Sequence, residues 1–316
     1  MSEAKNRVIK IAYDPDNRDQ WLELRRRGLG GSDAATVVGL NPWSSKLALY
    51  ADKMGLLPEK EDNEAMRQGR DLEAYVASRW EEVTGKKVQR VNFILANETY
   101  PFAFANIDRR VVGEKALLEV KTTSVYNKTD FENGEIPPQY YTQCVHYLAV
   151  TGYDRAYLAV AVLNKAFYTF VIERNEAEIN ALMHLEYKFW TEHVQKQNPP
   201  DPDGSESSQT VLDLQERTED TELMPDADDL FEELERVSAM VKEHEEHKEE
   251  LKQLIIARMG NKSRAQAQGW SASYLPQERE YVDMKKLKAL YPQAFQDSFY
   301  TKSFHVLRTK KNKGDK

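Results

Sequence analysis

The chain has 316 residues, 41% of them hydrophobic, and a formal net charge of −8, enough apolar material for one substantial core and a second, smaller unit. Its single cysteine, Cys144, excludes an internal disulfide framework and suits a reducing cytoplasm, where the sequence predicts a soluble protein: there is no run of about 18 apolar residues to span a membrane, and the opening MSEAKNRVIK lacks a leader's apolar stretch. The charge divides as −2 over residues 1–200, −15 over 201–250 and +9 over 251–316, together −8, so the acidic middle block is no surface for DNA, whereas basic residues of the nearly neutral first part are free to cluster on one face.

Arg25, Arg26 and Arg27 precede Gly28-Leu29-Gly30-Gly31-Ser32, and Ser32 is expected to cap a short helix through Val38. A helix N-terminus offers unpaired N–H groups and partial positive charge, so Gly28 to Ser32 is a candidate phosphate cradle with glycines that let backbone approach closely. Arg25 brings a guanidinium fork shaped for phosphate. An ordinary turn and cap would use the same residues. Residues 64–84 predict a helix ended by Gly85, with Met66, Leu72, Tyr75, Val76, Trp80 and Val83 near helical spacing and Glu73 beside that stripe.

Residues 102–107 (FAFANI) and 116–122 (ALLEVKT) read as two antiparallel strands joined through a turn at Val112-Gly113-Glu114-Lys115. Side chains alternate along a strand, so Glu119 and Lys121 share a face and Val120 points away. Charge inside an apolar strand is costly unless it is paired or holds a metal. Magnesium takes oxygen ligands, commonly one or two carboxylates with water and substrate phosphate, and Asp108, ten residues before Leu118-Glu119-Val120-Lys121, supplies a second carboxylate. A lysine beside such a cation can orient or deprotonate attacking water, its proton affinity lowered by burial and by the ion. A solvated edge hairpin is the alternative.

Pro137-Pro138 begins a helix that puts Gln143 and Tyr147 on one face. Residues 155–163 and 166–173 predict a hairpin around Asn164-Lys165, and 175–196 a closing helix. The Pro/Asp/Gly/Ser-rich segment 198–210 has the composition of a connector. Residues 226–259 then turn helical, with Leu230, Leu234, Val237, Val241, Leu251, Leu254 and Ile255 at three- and four-residue spacings. His244 and His247 lie one turn apart in its charged centre, where solvated side chains explain them better than a metal does. Beyond Gly260, the sequence predicts a strand at 268–274, a helix at 283–290, a strand at 299–307 and a disordered basic tail. The expected organisation is a large N-terminal domain at 1–198, an acidic flexible linker at 199–225, a long helix at 226–260 and a small α+β unit at 261–316.

The order Asp108, ten residues, Glu119-x-Lys121 resembles the PD-(D/E)xK nuclease signature, with Ile107 where proline is usual. Trp21 to Ala35 (WLELRRRGLGGSDAA) and Gln143-Cys144-Val145-His146-Tyr147 resemble the opening and Q-x-x-x-Y elements of the YqaJ-type viral recombinase family, which is lambda-exonuclease-like; the likeness spans roughly residues 18–190. That resemblance implies a restriction-endonuclease-like α/β fold, a mixed central sheet flanked by helices. It implies that Asp108, Glu119 and the Val120 carbonyl hold one or two Mg²⁺ ions, with Mn²⁺ a substitute, and that Glu73 is a further ligand or neighbour. Lys121 and Gln143 would position water with Tyr147 in support, and Arg25 and Ser32 would hold a 5′ phosphate. The implied activity is 5′-to-3′ digestion of linear double-stranded DNA from its ends for phage-type recombination, with a single-strand annealing protein as partner and a homo-oligomer, a trimeric ring in the family. An end-independent endonuclease and a non-catalytic DNA-associated scaffold are the alternatives.

Overall fold

The computed structural model describes residues 7–14, 17–58, 62–124, 131, 134–302 and 305–310, in two units, 1–216 and 217–316. The first contains β1 (Val8–Ala12), α1 (Arg18–Arg26), β2 (Leu29–Gly30), α2 (Gly31–Val37), α3 (Lys46–Lys53), α4 (Glu64–Thr84), β3 (Val88–Arg90), β4 (Phe93–Asn97), β5 (Tyr100–Ala105), β6 (Arg109–Val111), β7 (Ala116–Thr123), α5 (Pro138–Thr151), β8 (Arg155–Val162), β9 (Ala166–Glu173), α6 (Glu176–Phe189), a π turn (Trp190–Gln195) and α7 (Glu206–Asp213). They form a mixed α/β architecture with one sheet in the order β1-β4-β5-β2 and a second in the order β3-β6-β7-β8-β9.

The centre of the second sheet is the parallel pair β7 and β8, in register from Ala116↔Arg155 to Thr123↔Val162 and joined by α5. A strand covered on both faces needs a nearly continuous apolar run, and Ala156 to Val162 are all buried. On one face α4 lays Val76, Ala77 and Trp80 against Leu118, Val120, Ala159 and Ala161. Leu117 belongs to a separate cluster with Cys144, Val145 and Leu148 of α5 and Ala103 and Ala105 of β5. Gly85 ends α4 at φ +70, a left-handed cap that glycine adopts without strain. Met66, Tyr75 and Val83 are exposed, so the buried stripe of α4 is narrower than its spacing predicts.

Several expectations need correction. FAFANI and ALLEVKT are not partners: β5 pairs antiparallel with β4 and parallel with β2, in the other sheet. The hairpin partner of β7 is β6, over Arg109↔Leu118 and Arg110↔Leu117, across a turn where Gly113 has φ +83. The chain changes sheets at residues 106–108, where Ile107 is buried and Asp108 bonds to the β7 backbone. Helix α2 starts two residues earlier than predicted, with Gly30 rather than Ser32 as N-cap, and the Asp33 carboxylate accepts the Gly30 N–H at 2.9 Å.

The stretch expected to be a flexible linker contains α7, whose cap Ser205 and neighbouring Ser208 both bond to Asp203. Val211 is buried, and the Ser45 N–H donates to the Ser207 hydroxyl at 2.9 Å, tying this helix to the cap of α3. The second unit contains α8 (Asp228–Met259), the antiparallel hairpin β10 (Arg264–Ala267) and β11 (Trp270–Ser273), α9 (Met284–Leu290) and α10 (Pro292–Asp297). The predicted last strand is absent among the described residues of 299–307; Phe299 instead packs edge-on against Phe295, 4.6 Å between ring centres. The end of the basic tail, 311–316, lies outside the described residues.

Candidate functional site

Glu119 is 2% exposed. Its Oε1 accepts from Lys121 Nζ and from Gln143 Nε2, each at 2.7 Å. The first contact follows from strand alternation, which puts residues 119 and 121 on one face; the second follows from the β7-α5-β8 crossover, which lays α5 over that face. Glu119 Oε2 is buried and accepts no hydrogen bond among the described residues. A buried, unpaired acceptor costs about 1–3 kcal/mol, and more when it carries charge, so the geometry asks for a cation.

Asp108 sits at the crossing between the sheets, and its Oδ2 accepts the Val120 N–H at 2.8 Å. That bond brings the Asp108 carboxylate to the middle of the Glu119-Val120-Lys121 triplet. Burial, then the negative charges of Glu119 and Glu73, push the Asp108 carboxyl well above the usual carboxylate range, against the opposing pull of Lys121. For Lys121, burial alone would depress the ammonium, but the charges of Glu119 and Asp108 and the bond to Glu119 outweigh it and hold the amine above its ordinary value. The Lys121 ammonium also stands 5.2 Å from the centre of the Tyr140 ring, a cation–π distance. The two carboxylates beside it are the reason; the lowered proton affinity expected of Lys121 belongs to the metal-bound site, where a cation offsets their charge.

Glu73, on α4, reaches the margin of this cluster and is ion-paired to Arg109, which also donates to the Asp108 carbonyl at 2.7 Å. Arg109 is not singled out by the sequence, although its place next to Asp108 on a short strand, 8% exposed, is the signal that such a buried arginine needs a carboxylate. Gln143 Nε2 donates also to the Tyr147 hydroxyl at 3.0 Å, so the expected pair on one helix face does meet. The Tyr147 ring lies against Gly31: a Cβ there would fall 2.4 Å from Tyr147 Cε1. The close approach permitted by this glycine is thus to the protein's own tyrosine, and Gly28 likewise closes on the Phe102 carbonyl and the Phe104 ring.

Arg25 lies over the Trp21 ring, 5.4 Å from Cζ to its centre, and its Nη2 is 3.4 Å from Asp33 Oδ1. Asp33 Oδ2 accepts from the fully buried ammonium of Lys53 at 2.6 Å, and that ammonium also donates to the Arg25 carbonyl at 3.0 Å. Burial opposes the charge on Asp33, but Lys53 and then Arg25 overcome it and bring the carboxyl down to about 2. The Arg25 side chain stays 39% exposed, and Ser32 is exposed on the first turn of α2. Sequence reasoning also misses Lys53, at the end of the apolar helix LALYADK, and the buried pair His146 and Glu186, with His146 Nδ1 2.8 Å from Glu186 Oε1 and Nε2 2.9 Å from the Phe104 carbonyl; a charged residue inside an apolar run is the common signal.

Among the described residues, no group of three or more His, Cys, Asp or Glu side chains forms a ligand cluster. His247 faces Glu250 on its own helix at 3.3 Å. What the site offers is two crowded carboxylates and backbone oxygen, a hard donor set that suits magnesium or manganese and lacks the nitrogen and sulfur that zinc prefers. The bare Glu119 Oε2 and the raised Asp108 carboxyl are both relieved by a divalent cation, so the residues fit one. No helix among the described residues is long and apolar enough to cross a membrane.

Comparison with known proteins finds that residues 20–154 match the YqaJ-like viral recombinase domain. The YqaJ protein of Bacillus subtilis strain 168 is 36% identical over 289 residues, covering 89% of this chain and 90% of its own length. Among solved structures, the alkaline exonuclease LHK-Exo from Laribacter hongkongensis is 21% identical, with a TM-score of 0.49 over 57% of this chain and 94% of that one. A phage-related exonuclease from Haemophilus somnus 129PT is 13% identical, with a TM-score of 0.41 over 56% of this chain and 99% of that one.

Proposed function

Because this chain belongs to the YqaJ-like viral recombinase family, we propose that it is a divalent-metal-dependent deoxyribonuclease acting on the ends of linear double-stranded DNA, in the 5′-to-3′ direction. The observation that carries the reading is the meeting of half-buried Asp108 and Lys121 with buried Glu119 and Gln143, with one carboxylate oxygen left bare among the described residues. Asp108, Glu119 and the Val120 carbonyl would hold Mg²⁺ or Mn²⁺, as one ion or two, with Glu73 at the margin. Once bound, the metal supplies charge neutralisation at the phosphate and a more acidic water.

The chain's own residues do the rest. Lys121, bonded to Glu119, orients the attacking water and balances charge on the phosphate oxygens. Gln143 fixes the Glu119 carboxylate through Nε2 and is itself steadied by Tyr147. The water oxygen bonds to phosphorus as the P–O3′ bond breaks, and the leaving 3′ oxygen takes up a proton. The strand that remains then begins with a new 5′ phosphate, the group that Arg25 and Ser32 would hold. Asp33 and Lys53 keep Arg25 in position, and its stacking on Trp21 limits its freedom.

The products are single strands suited to an annealing protein, and homo-oligomerisation, as a trimeric ring, would keep the enzyme on its substrate. The test is a time course on linear duplex with 5′-phosphate or 5′-hydroxyl ends beside covalently closed circular duplex. Digestion of the linear DNA with preference for the phosphate and none of the circle is expected; equal digestion of the circle favours the end-independent endonuclease.

A further inference from the structure

The first unit has a cleft of about 310 Å³ between β1, β4 and the edge formed by β3 and β6. It shares no lining residue with the carboxylate site. Successive residues of β6 point to opposite sides: Arg109 goes to Glu73 and the Asp108 carbonyl, whereas Arg110 lines this cleft and donates through Nε to Gln89 Oε1 at 3.0 Å. Lys10 and Arg90 also line it, with Phe93 and Tyr153 among its walls, and no carboxylate does.

Three cations around one cleft without a counter-charge are unusual in a part of the chain that is nearly neutral overall. Among the described residues none of the three is in an ion pair: the Lys10 ammonium lies 4.7 Å from the centre of the Phe93 ring, and Arg110 meets only the neutral amide of Gln89. Mutual repulsion among Lys10, Arg90 and Arg110 is relieved by an anion. The aromatic walls add a demand that a simple phosphate does not meet, since they offer flat apolar surface beside the charge. Phosphate with an accessible π-face is the chemistry of a single-stranded nucleic acid, where bases stack on aromatic side chains while cations track the backbone. In a duplex those faces are occupied by neighbouring bases. The size sits at the lower end of ligand pockets, about 300–1,000 Å³, and suits one nucleotide unit of a longer strand.

We propose that this cleft is a single-strand binding site, in which Lys10, Arg90 and Arg110 take successive phosphates and a base lies against Phe93 or Tyr153. The proposal rests on the deoxyribonuclease reading only in naming DNA as the polymer. It puts a strand-holding surface on the side of β6 opposite the hydrolytic carboxylates, so a strand freed by digestion has a place to remain on the protein.

The test is binding of a fluorescent oligo-dT to the full chain in chelator, where nothing is cut, for the wild type and the surface variant Lys10→Gln/Arg90→Gln/Arg110→Gln. We expect the variant to bind about tenfold more weakly, with the slope of log K against log salt reduced by about 2, near 0.7 for each phosphate that the protein no longer neutralises. Unchanged affinity and slope would overturn the proposal, as would a duplex that displaces oligo-dT as well as an unlabelled single strand of equal length does. Hydrolysis of a short linear duplex with magnesium is followed alongside. If neither protein degrades it, the nuclease reading fails while the binding comparison still decides the cleft.

Discussion

Lys121 Nζ stands 2.7 Å from Glu119 Oε1, on the same face of the same strand. The ammonium and the Gln143 amide both take the one oxygen, which leaves Oε2 buried and bare among the described residues. A site built only for stability would satisfy both oxygens, since an unpaired buried acceptor is expensive. The arrangement orients a carboxylate for a ligand that the side chains themselves do not supply.

Magnesium should therefore stabilise the folded protein. At a concentration a hundred times its dissociation constant the gain is about 2.7 kcal/mol, or several degrees in melting temperature at roughly 2–4 °C per kcal/mol for a domain of this size. Differential scanning fluorimetry of chelator-treated protein with added Mg²⁺ checks this. Glu119→Gln should lose most of the stabilisation, and a wild type whose melting point does not respond would count against the metal.

The Asp108 carboxyl carries the opposite sign when no metal is present. Its folded value is raised well above its ordinary one, by burial and then by Glu119, so its contribution to stability is present below the unfolded pKa and is lost as pH rises through the folded value. Asp108→Asn keeps an acceptor for the Val120 N–H and removes the charge. In chelator at neutral pH it should raise stability by about 1 kcal/mol or more, since a tenfold difference in proton affinity between folded and unfolded protein is worth about 1.4 kcal/mol, and the gain should shrink as pH falls. Urea unfolding at several pH values measures it; a variant less stable than wild type at pH 7 would show that the carboxylate is satisfied by the fold alone.

Asp33 behaves the other way. Its carboxyl is brought down to about 2 against the penalty of burial, chiefly by Lys53, so the stability it contributes is present above the unfolded pKa, near 4, and is lost as pH falls from there toward 2. Asp33→Asn strands a fully buried ammonium and should cost about 3 kcal/mol at pH 7, the lower end of what breaking a buried pair costs. The gap to wild type should narrow between pH 4 and 2 in the same unfolding experiment. A gap that does not depend on pH would assign the loss to packing instead.

Gly31→Ala tests the contact that joins the α2 corner to the carboxylate site. The added Cβ would meet the Tyr147 ring at 2.4 Å, and overpacking of this kind costs about 1–3 kcal/mol. Displacement of Tyr147 loosens Gln143, so hydrolysis should fall by about tenfold or more while the protein still folds. Assays of kcat beside circular dichroism separate the two effects; a folded variant with full kcat would mean that Tyr147 does not steady Gln143.

Much of this site is legible in the sequence because strand and helix periods fix which side chains share a face. Glu119 with Lys121, and Gln143 with Tyr147, meet as their spacings require, and Gly85 and Gly113 end a helix and turn a hairpin where the sequence has them. The partner of β7 is not legible, because FAFANI has the same apolar pattern as a true neighbour; nothing local in it records that the chain changes sheets at Ile107. Lys53, Arg109 and the His146 and Glu186 pair escape for a related reason. Each is satisfied by a residue at least twenty positions away, and one sequence does not show which distant charge answers a buried one. The same holds for Ser32, whose hydroxyl suits the role of cap, when Gly30 takes that place and its N–H is held by Asp33, which is in turn held by Lys53.

The most direct measurement is release of nucleotides from linear duplex DNA bearing 5′ phosphates, by the wild type, Glu119→Gln and Lys121→Ala, each with Mg²⁺ and with chelator. Wild type should act only with the metal, Glu119→Gln should release nothing measurable, and Lys121→Ala should be slower by roughly 10²–10⁴-fold, the range for a positioned group acting on the attacking water. Undiminished release by Glu119→Gln, or by the wild type in chelator, would contradict hydrolysis by a metal held at Glu119.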